Sequence, residues 1–215
     1  MKQWGMLVTG VYGVIVVGLL IPGVALLMGI EWNTFYKSWL VWLWVVALVG
    51  GEVVLLFVSV DTSRKKLRPR RHVLVTLSTV ALLVALLTVG AVMSVLAAIL
   101  GDGLFEPPVG PYVTDSGFKL LAWALGLWGV WGLVFLAYAK SVPGVRQLLN
   151  RLLAGSALEL LIAVPSHVVA RHRETCSAPA ATGFGIATGV AIMLLCFGPG
   201  VLFLYQERIG RYRKT

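Results

Sequence analysis

Long apolar runs separated by short polar segments constrain this 215-residue chain more than any other feature of its sequence. A helix needs about 20 predominantly apolar residues to cross the hydrocarbon layer of a bilayer. Five runs reach this length, at 5–29, 39–60, 73–100, 118–139 and 180–205. These runs are continuous rather than alternating, which excludes a β-barrel, and a helix pairs its backbone groups within one segment. The sequence therefore predicts an all-α fold, a polytopic transmembrane helical bundle.

A sixth and weaker apolar run, at 152–170, decides the number of spans. It contains several polar residues, so it either crosses the bilayer or forms a re-entrant or interfacial helix beside five spans. Cytoplasmic loops of membrane proteins are rich in Lys and Arg. With six spans and a cytoplasmic N-terminus, 14 of the 18 Lys and Arg residues are cytoplasmic, against 12 with five spans. The charge balance favours six spans with both termini in the cytoplasm.

The composition indicates a single integral membrane domain over residues 1–215. Hydrophobic residues make up 59% of the chain and charged residues only 13%, whereas average soluble domains carry about 25% charged residues. No polar stretch between the apolar runs is long enough to form a soluble domain. We expect a multi-pass protein of the plasma (inner) membrane.

The net charge of +9 is concentrated in short segments beside the apolar runs. Nucleic-acid binding requires a contiguous basic face, so we expect no nucleic-acid partner. Basic clusters next to a span attract the anionic headgroups of the cytoplasmic leaflet instead. The lipid bilayer and its anionic headgroups are the expected partners. The strongest basic cluster consists of Arg64, Lys65, Lys66, Arg68, Arg70 and Arg71.

Two glutamates, Glu52 and Glu159, interrupt otherwise apolar runs. An acidic residue at the centre of a membrane helix costs about 2.5 to 3.5 kcal/mol, so such residues are functional candidates by default. Counted from Asp61 and Arg151, both lie about 12 to 14 Å from the cytoplasmic edge. One hypothesis is that they face each other and share a proton or hold a cation. The alternative is that each bonds a backbone carbonyl or a Ser or Thr hydroxyl and joins two helices.

The fifth run has one polar or small face. At 100° per residue, an arc of about 100° holds Ser156, Glu159, Ala163, Ser166 and His167. Lipid is not a suitable partner for this face, so it should line the bundle interior or a water-filled cavity. The sequence predicts a polar path formed by Glu52, Glu159, Ser156, Ser166 and His167.

A second cluster follows that run: Arg171, His172, Arg173 and Cys176. Guanidinium groups suit phosphate, so an anion or lipid headgroup is the expected ligand. The spacing of the His and Cys residues matches no zinc motif, and three ligands are few, so we expect no metal site and no cofactor. The alternative is a helix that simply ends in polar residues at the membrane surface.

The glycines of two runs predict close helix packing. Gly185 and Gly189 form a GxxxG pattern, and Gly126, Gly129 and Gly132 line the fourth run. Such faces let helix backbones approach closely, within one chain or in a homo- or hetero-oligomer.

Two classes of function follow from these features. The first is a small carrier or channel-like subunit that uses Glu52 and Glu159. The second is a membrane-embedded enzyme or a lipid- or anion-binding accessory protein that uses the segment from His167 to Cys176. Apart from these two classes, the protein could be a scaffold subunit of a membrane complex. No nucleophile–base–acid set and no glycine-rich phosphate loop occurs in the sequence. We therefore expect a carrier or channel-like subunit rather than an enzyme.

Overall fold

The computed structural model describes residues 2–28, 31–58, 70–100, 113–138, 145–172 and 178–212. Apart from Glu31 and Ser38, every described residue is helical. The helices are α1 (Lys2–Ile15), α2 (Ile21–Met28), α3 (Trp32–Lys37), α4 (Trp39–Val53), α5 (Arg70–Leu100), α6 (Val113–Tyr138), α7 (Val145–His172) and α8 (Ala178–Tyr212). Two single π-helical turns, Val16–Leu20 and Val54–Val58, join α1 to α2 and extend α4.

Six helical segments are long and apolar enough to cross a membrane. They are Trp4–Leu26, Trp39–Val58, Val73–Leu100, Lys119–Ala137, Gln147–His172 and Ala181–Gly198. The predicted fold class, an all-α helical bundle, is thereby confirmed, and six of its helical segments have the length and composition of membrane spans. The weak fifth run belongs to α7, which is 28 residues long and continues without a break through Pro165. At 1.5 Å per residue α7 is about 42 Å long, enough for a full crossing.

The π-helical turn in the first span has a local cause and an external partner. Pro22 follows this turn and has no N–H to donate to the carbonyls of the preceding turn. The carbonyl of Val17, five residues before Pro22, instead accepts a hydrogen bond from the Tyr36 hydroxyl at 2.6 Å. Tyr36 lies on α3, so this bond ties the short connecting helix to the first span.

Helices α5, α7 and α8 pack against one another and form the centre of the bundle. Their buried side chains, which include Leu83, Leu152 and Ile192, belong to one continuous apolar cluster. Helix α6 packs chiefly against α5. The Trp128 indole donates to the Ser78 carbonyl at 3.0 Å and the Trp131 indole to Thr88 Oγ1 at 3.2 Å.

The first span packs against α8, and the second span packs against both α5 and α8. The Tyr12 hydroxyl on α1 donates to the carbonyl of Ala191 at 3.0 Å. The Trp44 indole on α4 donates to Thr188 Oγ1 at 3.2 Å, and Thr188 in turn donates to the Phe184 carbonyl. A buried polar bond thus connects each of these two spans to α8.

The two glycine faces have different surroundings. A β-carbon added at Gly185 would lie 3.0 Å from the carbonyl oxygen of Gly90, so α5 and α8 approach closely at this point. The close packing predicted for the Gly185–Gly189 pattern is found there. β-Carbons added at Gly126, Gly129 and Gly132 would meet no described atom within 4 Å. The glycine face of α6 therefore has no packing partner within the described part of the chain.

Candidate functional site

The Glu159 carboxyl lies at the meeting point of α5, α7 and α8. Glu159 is 2% exposed. Its Oε1 lies beside Gly90 of α5, so close that an added β-carbon would collide with it, and its Oε2 would be 3.3 Å from a β-carbon at Gly189 of α8. Leu160 packs on Gly189 from the same helix as the carboxyl. Two glycines thus provide the space that the carboxyl occupies between three closely packed helices.

The Glu52 carboxyl lies between the first two spans and α8. Glu52 is 1% exposed, and its Oε1 would lie 3.0 Å from a β-carbon added at Gly198. Tyr12 and Cys196 are buried nearby, and Tyr12 is within electrostatic range of both Glu52 and Cys196. Thr9 Oγ1 of α1 is also buried without a hydrogen-bond partner among the described residues.

Neither glutamate has a hydrogen-bond partner in the part of the chain that the structure describes. No hydrogen bond joins the two carboxyls in the described residues, so the structure shows no direct sharing of a proton between them, and their role in holding a proton or a cation stays a prediction. The alternative, a bond from each carboxyl to a carbonyl or a hydroxyl, is not formed either. Most buried polar atoms in proteins do have a partner, so two bare carboxyls in one small bundle require an explanation.

The two carboxyls lie at different depths, contrary to the prediction. Glu159 approaches Gly189 and Glu52 approaches Gly198, and nine residues of an α-helix correspond to about 13 Å. The depth predicted for Glu159 is counted from Arg151 as the edge of the fifth span. Helix α7 begins earlier, at Val145, and its spanning part starts at Gln147, so Glu159 lies deeper than the sequence indicated.

Beyond Glu159, polar side chains continue toward one end of the bundle, the end at which α7 finishes at His172 and α8 begins at Ala178. We call it the His172 end. Ser94 Oγ of α5 is buried beside Gly185 and donates to the Gly90 carbonyl at 2.8 Å. His167 Nδ1 and Thr182 Oγ1 are 2.8 Å apart and both residues are buried. His167 Nε2 is buried and has no partner among the described residues.

The buried face of α7 is the face that the spacing predicts. Glu159, Ala163 and His167 are buried, and the opposite face carries exposed apolar residues such as Leu161 and Val168. Ser156 Oγ is bonded to the Leu153 carbonyl and Ser166 Oγ to the Ile162 carbonyl, both within α7. The structure therefore places these two serines on the helix without bringing them to either carboxyl through a hydrogen bond.

The predicted anion site lies only partly within the described residues. Arg171 and His172 are exposed at the end of α7, and His172 Nδ1 lies 2.8 Å from the Val168 carbonyl. Arg173 and Cys176 lie outside the described residues. Groups of three or more His, Cys, Asp or Glu side chains that could hold a metal ion are not found in the described part of the chain.

The basic cluster predicted to bind lipid also falls largely outside the described residues. Arg64, Lys65, Lys66 and Arg68 precede α5, and only the backbone of Arg70 and Arg71 is described. Lipid binding by this cluster stays a prediction.

Sequence reasoning missed Ser94 and Tyr12 near the two carboxyls and Thr182 as the partner of His167. Serine and threonine are well tolerated in membrane helices because their hydroxyls bond the carbonyl of the preceding turn, as Ser94 does. Single hydroxyls in apolar runs therefore gave little signal. Gly90 and Ser94 are small residues four positions apart, as are Gly185 and Gly189 of α8. This spacing was the one signal in the sequence that Ser94 faces a closely packed helix.

Comparisons with protein-family models, with curated proteins and with solved structures find no match to this chain.

Proposed function

We propose that this protein is a small carrier or channel-like membrane subunit in which Glu159 and Glu52 bind and release a transported positive charge. The charge is a proton or another small cation. Glu159 provides the central binding step, and Glu52 provides a second step about 13 Å away along α8.

The bare carboxyl of Glu159 is the observation that supports this proposal most. A carboxyl used only to join helices would bond a carbonyl or a hydroxyl, since an unsatisfied buried polar group costs about 1 to 3 kcal/mol. Glu159 is almost fully buried and has no such partner in the described residues. Acidic residues kept at this cost in membrane helices mark the paths of ions and protons.

The position of the two carboxyls also suits a stepwise path. They lie on opposite sides of α8, Glu159 against α5 and α7 and Glu52 against α1. The Tyr12 hydroxyl and the carbonyl of Ala191 lie between their two levels on α8. A charge that moves between the carboxyls therefore passes polar groups that are already present in the bundle.

The proposal extends to orientation. We place the N- and C-termini in the cytoplasm and the protein in the plasma (inner) membrane. The excess of Lys and Arg in the segments that would then be cytoplasmic supports this arrangement.

Ion flux through purified full-length protein tests the function. The protein is reconstituted into vesicles of phosphatidylethanolamine and phosphatidylglycerol, and H⁺, Na⁺ and K⁺ movements are measured under an imposed membrane potential. We expect flux above that of empty vesicles, reduced to the empty-vesicle level by Glu159→Gln. Glu52→Gln should reduce it in the same way.

The control for these variants is Glu31→Gln, which removes an exposed carboxylate outside the spans. This variant should retain the flux of the unmodified protein. Full flux of all ions in the Glu159→Gln and Glu52→Gln double variant would contradict the proposed function.

A further inference from the structure

We infer that the ion carried by Glu159 is a proton, which reaches the carboxyl from the His172 end of the bundle through His167, Thr182 and Ser94. This inference rests on the proposed function and names its cargo and one half of its route.

The packing around Glu159 leaves no place for the ligands of a metal cation. Hard cations take about six or more oxygen ligands. At this site the carboxyl fills the space beside Gly90 and Gly189, and the side chain of Leu160 covers Gly189. The nearby carbonyl of Gly90 already accepts the Ser94 hydroxyl. A proton needs only one carboxylate oxygen, and it can enter without displacing any of the three helices.

The polar groups between Glu159 and the His172 end lie at successive helical turns. Glu159 is at the level of Gly90 and Gly189, and Ser94 is at the level of Gly185, one turn further. His167 and Thr182 pair at the next level, since Thr182 precedes Gly185 by three residues. Each step is about 5 Å along the bundle axis, a gap that one water molecule can bridge.

Beyond His167 the route is closed by small side chains. Ala97, Ala170 and Ala181 pack together one turn further toward the His172 end, and Ala97 and Ala170 are fully buried. Arg171 and His172, which follow directly, are exposed. Among the described residues, about one helical turn of alanine side chains thus separates the polar groups from the exposed Arg171 and His172.

The His167 ring has the chemistry of a relay. In the tautomer that carries its proton on Nδ1, a proton that arrives at Nε2 gives an imidazolium, which releases the Nδ1 proton to Thr182 Oγ1. The threonine passes its own hydroxyl proton through a water molecule to Ser94 Oγ, and Ser94 releases to Glu159 the hydroxyl proton that it otherwise donates to the Gly90 carbonyl. Rotation of the imidazole ring then returns its remaining proton to the side of Thr182 before the next transfer. Protons move in both directions by the same steps, so no other reactant is consumed.

Few other ionisable groups face this route. Residues 73–100 of α5 contain none, and neither do residues 178–195 of α8. On α7, Arg171 and His172 lie at the entrance, and Glu159 is the only carboxyl of that helix. In α4 the single ionisable residue is Glu52, which lies against Gly198, farther than Glu159 from the His172 end. His167 and Glu159 are therefore the two groups on which a proton would reside.

Proton uptake into the vesicles described above tests the route. Uptake is followed with a pH-sensitive dye inside the vesicles, in parallel with Na⁺ and K⁺ flux. We expect H⁺ flux and no Na⁺ or K⁺ flux that depends on Glu159. His167→Gln retains a side chain that can bond Thr182 but cannot take up and release a proton. It should slow H⁺ uptake about a hundredfold, the lower range for a positioned proton-transfer group.

Two further variants complete the test. Thr182→Val removes the hydroxyl without changing the shape of the side chain and should slow H⁺ uptake as well. His72→Gln changes a histidine near the start of α5, at the opposite end of that helix from Ser94, and should leave uptake unchanged. The pH dependence of uptake should lose one titration step in His167→Gln and keep it in His72→Gln.

The possible outcomes separate the inference from the function on which it rests. No flux of any ion in the unmodified protein would contradict the proposed function itself. Na⁺ or K⁺ flux that depends on Glu159, without H⁺ flux, would contradict only the identity of the cargo. Normal H⁺ uptake in folded His167→Gln and Thr182→Val proteins would overturn the route.

Discussion

The Glu159 carboxyl occupies the space beside Gly90 that a β-carbon on α5 would otherwise fill. Because that carboxyl has no hydrogen-bond partner among the described residues, the glycine provides room rather than a polar contact. This contact between Gly90 and the Glu159 carboxyl lies where α5, α7 and α8 meet.

Gly90→Ala should destabilise the protein. The added methyl group would collide with the Glu159 carboxyl and lie 3.1 Å from Gly185 Cα, which is backbone and moves only with its helix. Overpacking of this kind costs about 1 to 3 kcal/mol, which outweighs the gain of up to about 1 kcal/mol in helix propensity. Thermal unfolding in detergent should show a lower midpoint.

The matched control is Gly126→Ala on α6. A β-carbon at Gly126 meets no described atom within 4 Å, so only the gain in helix propensity remains and the midpoint should stay the same or rise. Equal midpoints for the Gly90 and Gly126 variants would contradict the close packing described here.

The six spans could be predicted because crossing a bilayer requires long apolar runs, which the sequence displays directly. The buried face of α7 was predictable for a similar reason, since Glu159, Ala163 and His167 recur at the helical period. The depth of Glu159 was not predictable in this way. Its estimate depended on where the span begins, and Arg151 is an unreliable boundary because long basic side chains extend along a helix to reach the headgroups.

The positions of the hydroxyl groups near the two carboxyls could not be predicted from the sequence for a different reason. Ser94 and Thr188 each bond the carbonyl four residues earlier in their own helix, so they are compatible with any environment in a membrane. Which helices bring them near a carboxyl depends on tertiary packing, and the glycines that permit this packing are spread over α5 and α8.

Trp44→Phe should weaken the attachment of the second span to α8. The variant keeps an aromatic ring beside Phe184, whose centroid lies 6.1 Å from that of Trp44, and loses the indole bond to Thr188. Buried hydrogen bonds contribute about 0.5 to 1.5 kcal/mol, so a modest drop in unfolding midpoint is expected. Trp42→Phe is the control, because its indole bonds the nearby Tyr36 carbonyl at an exposed site, and its midpoint should change less than that of Trp44→Phe.

A reporter fused after Thr215 should lie on the same side of the membrane as one fused before Met1. An even number of spans returns the chain to its starting side, and the bias of Lys and Arg places that side in the cytoplasm. Accessibility of the two reporters in intact and permeabilised cells measures this directly. Reporters on opposite sides would mean that one of the six helices does not cross.

Replacement of Arg64, Lys65, Lys66, Arg68, Arg70 and Arg71 by Gln should weaken association with anionic lipid. Each basic residue near an anionic surface contributes about 1 kcal/mol, and the effect is screened by salt. The number of phosphatidylglycerol molecules that co-purify with the protein should fall. Replacement of the basic residues after Tyr205 provides a comparison for the loss of charge alone, and an equal loss of lipid in both variants would contradict a specific role for the first cluster.

Glu159→Met should raise stability while it abolishes ion flux. The Met side chain is similar in length and flexible enough to fit beside Gly90, and it removes a buried carboxyl that has no partner among the described residues. Relief of an unsatisfied buried group is worth about 1 to 3 kcal/mol. Leu158→Met, at an exposed position one residue earlier, controls for the new side chain and should change neither property. If the carboxyl served only to hold the helices together, Glu159→Met would instead unfold at a lower temperature, because the variant would lose a stabilising contact without removing an unsatisfied buried group. A higher unfolding midpoint together with lost flux therefore identifies Glu159 as a residue kept for ion movement at a cost to the fold.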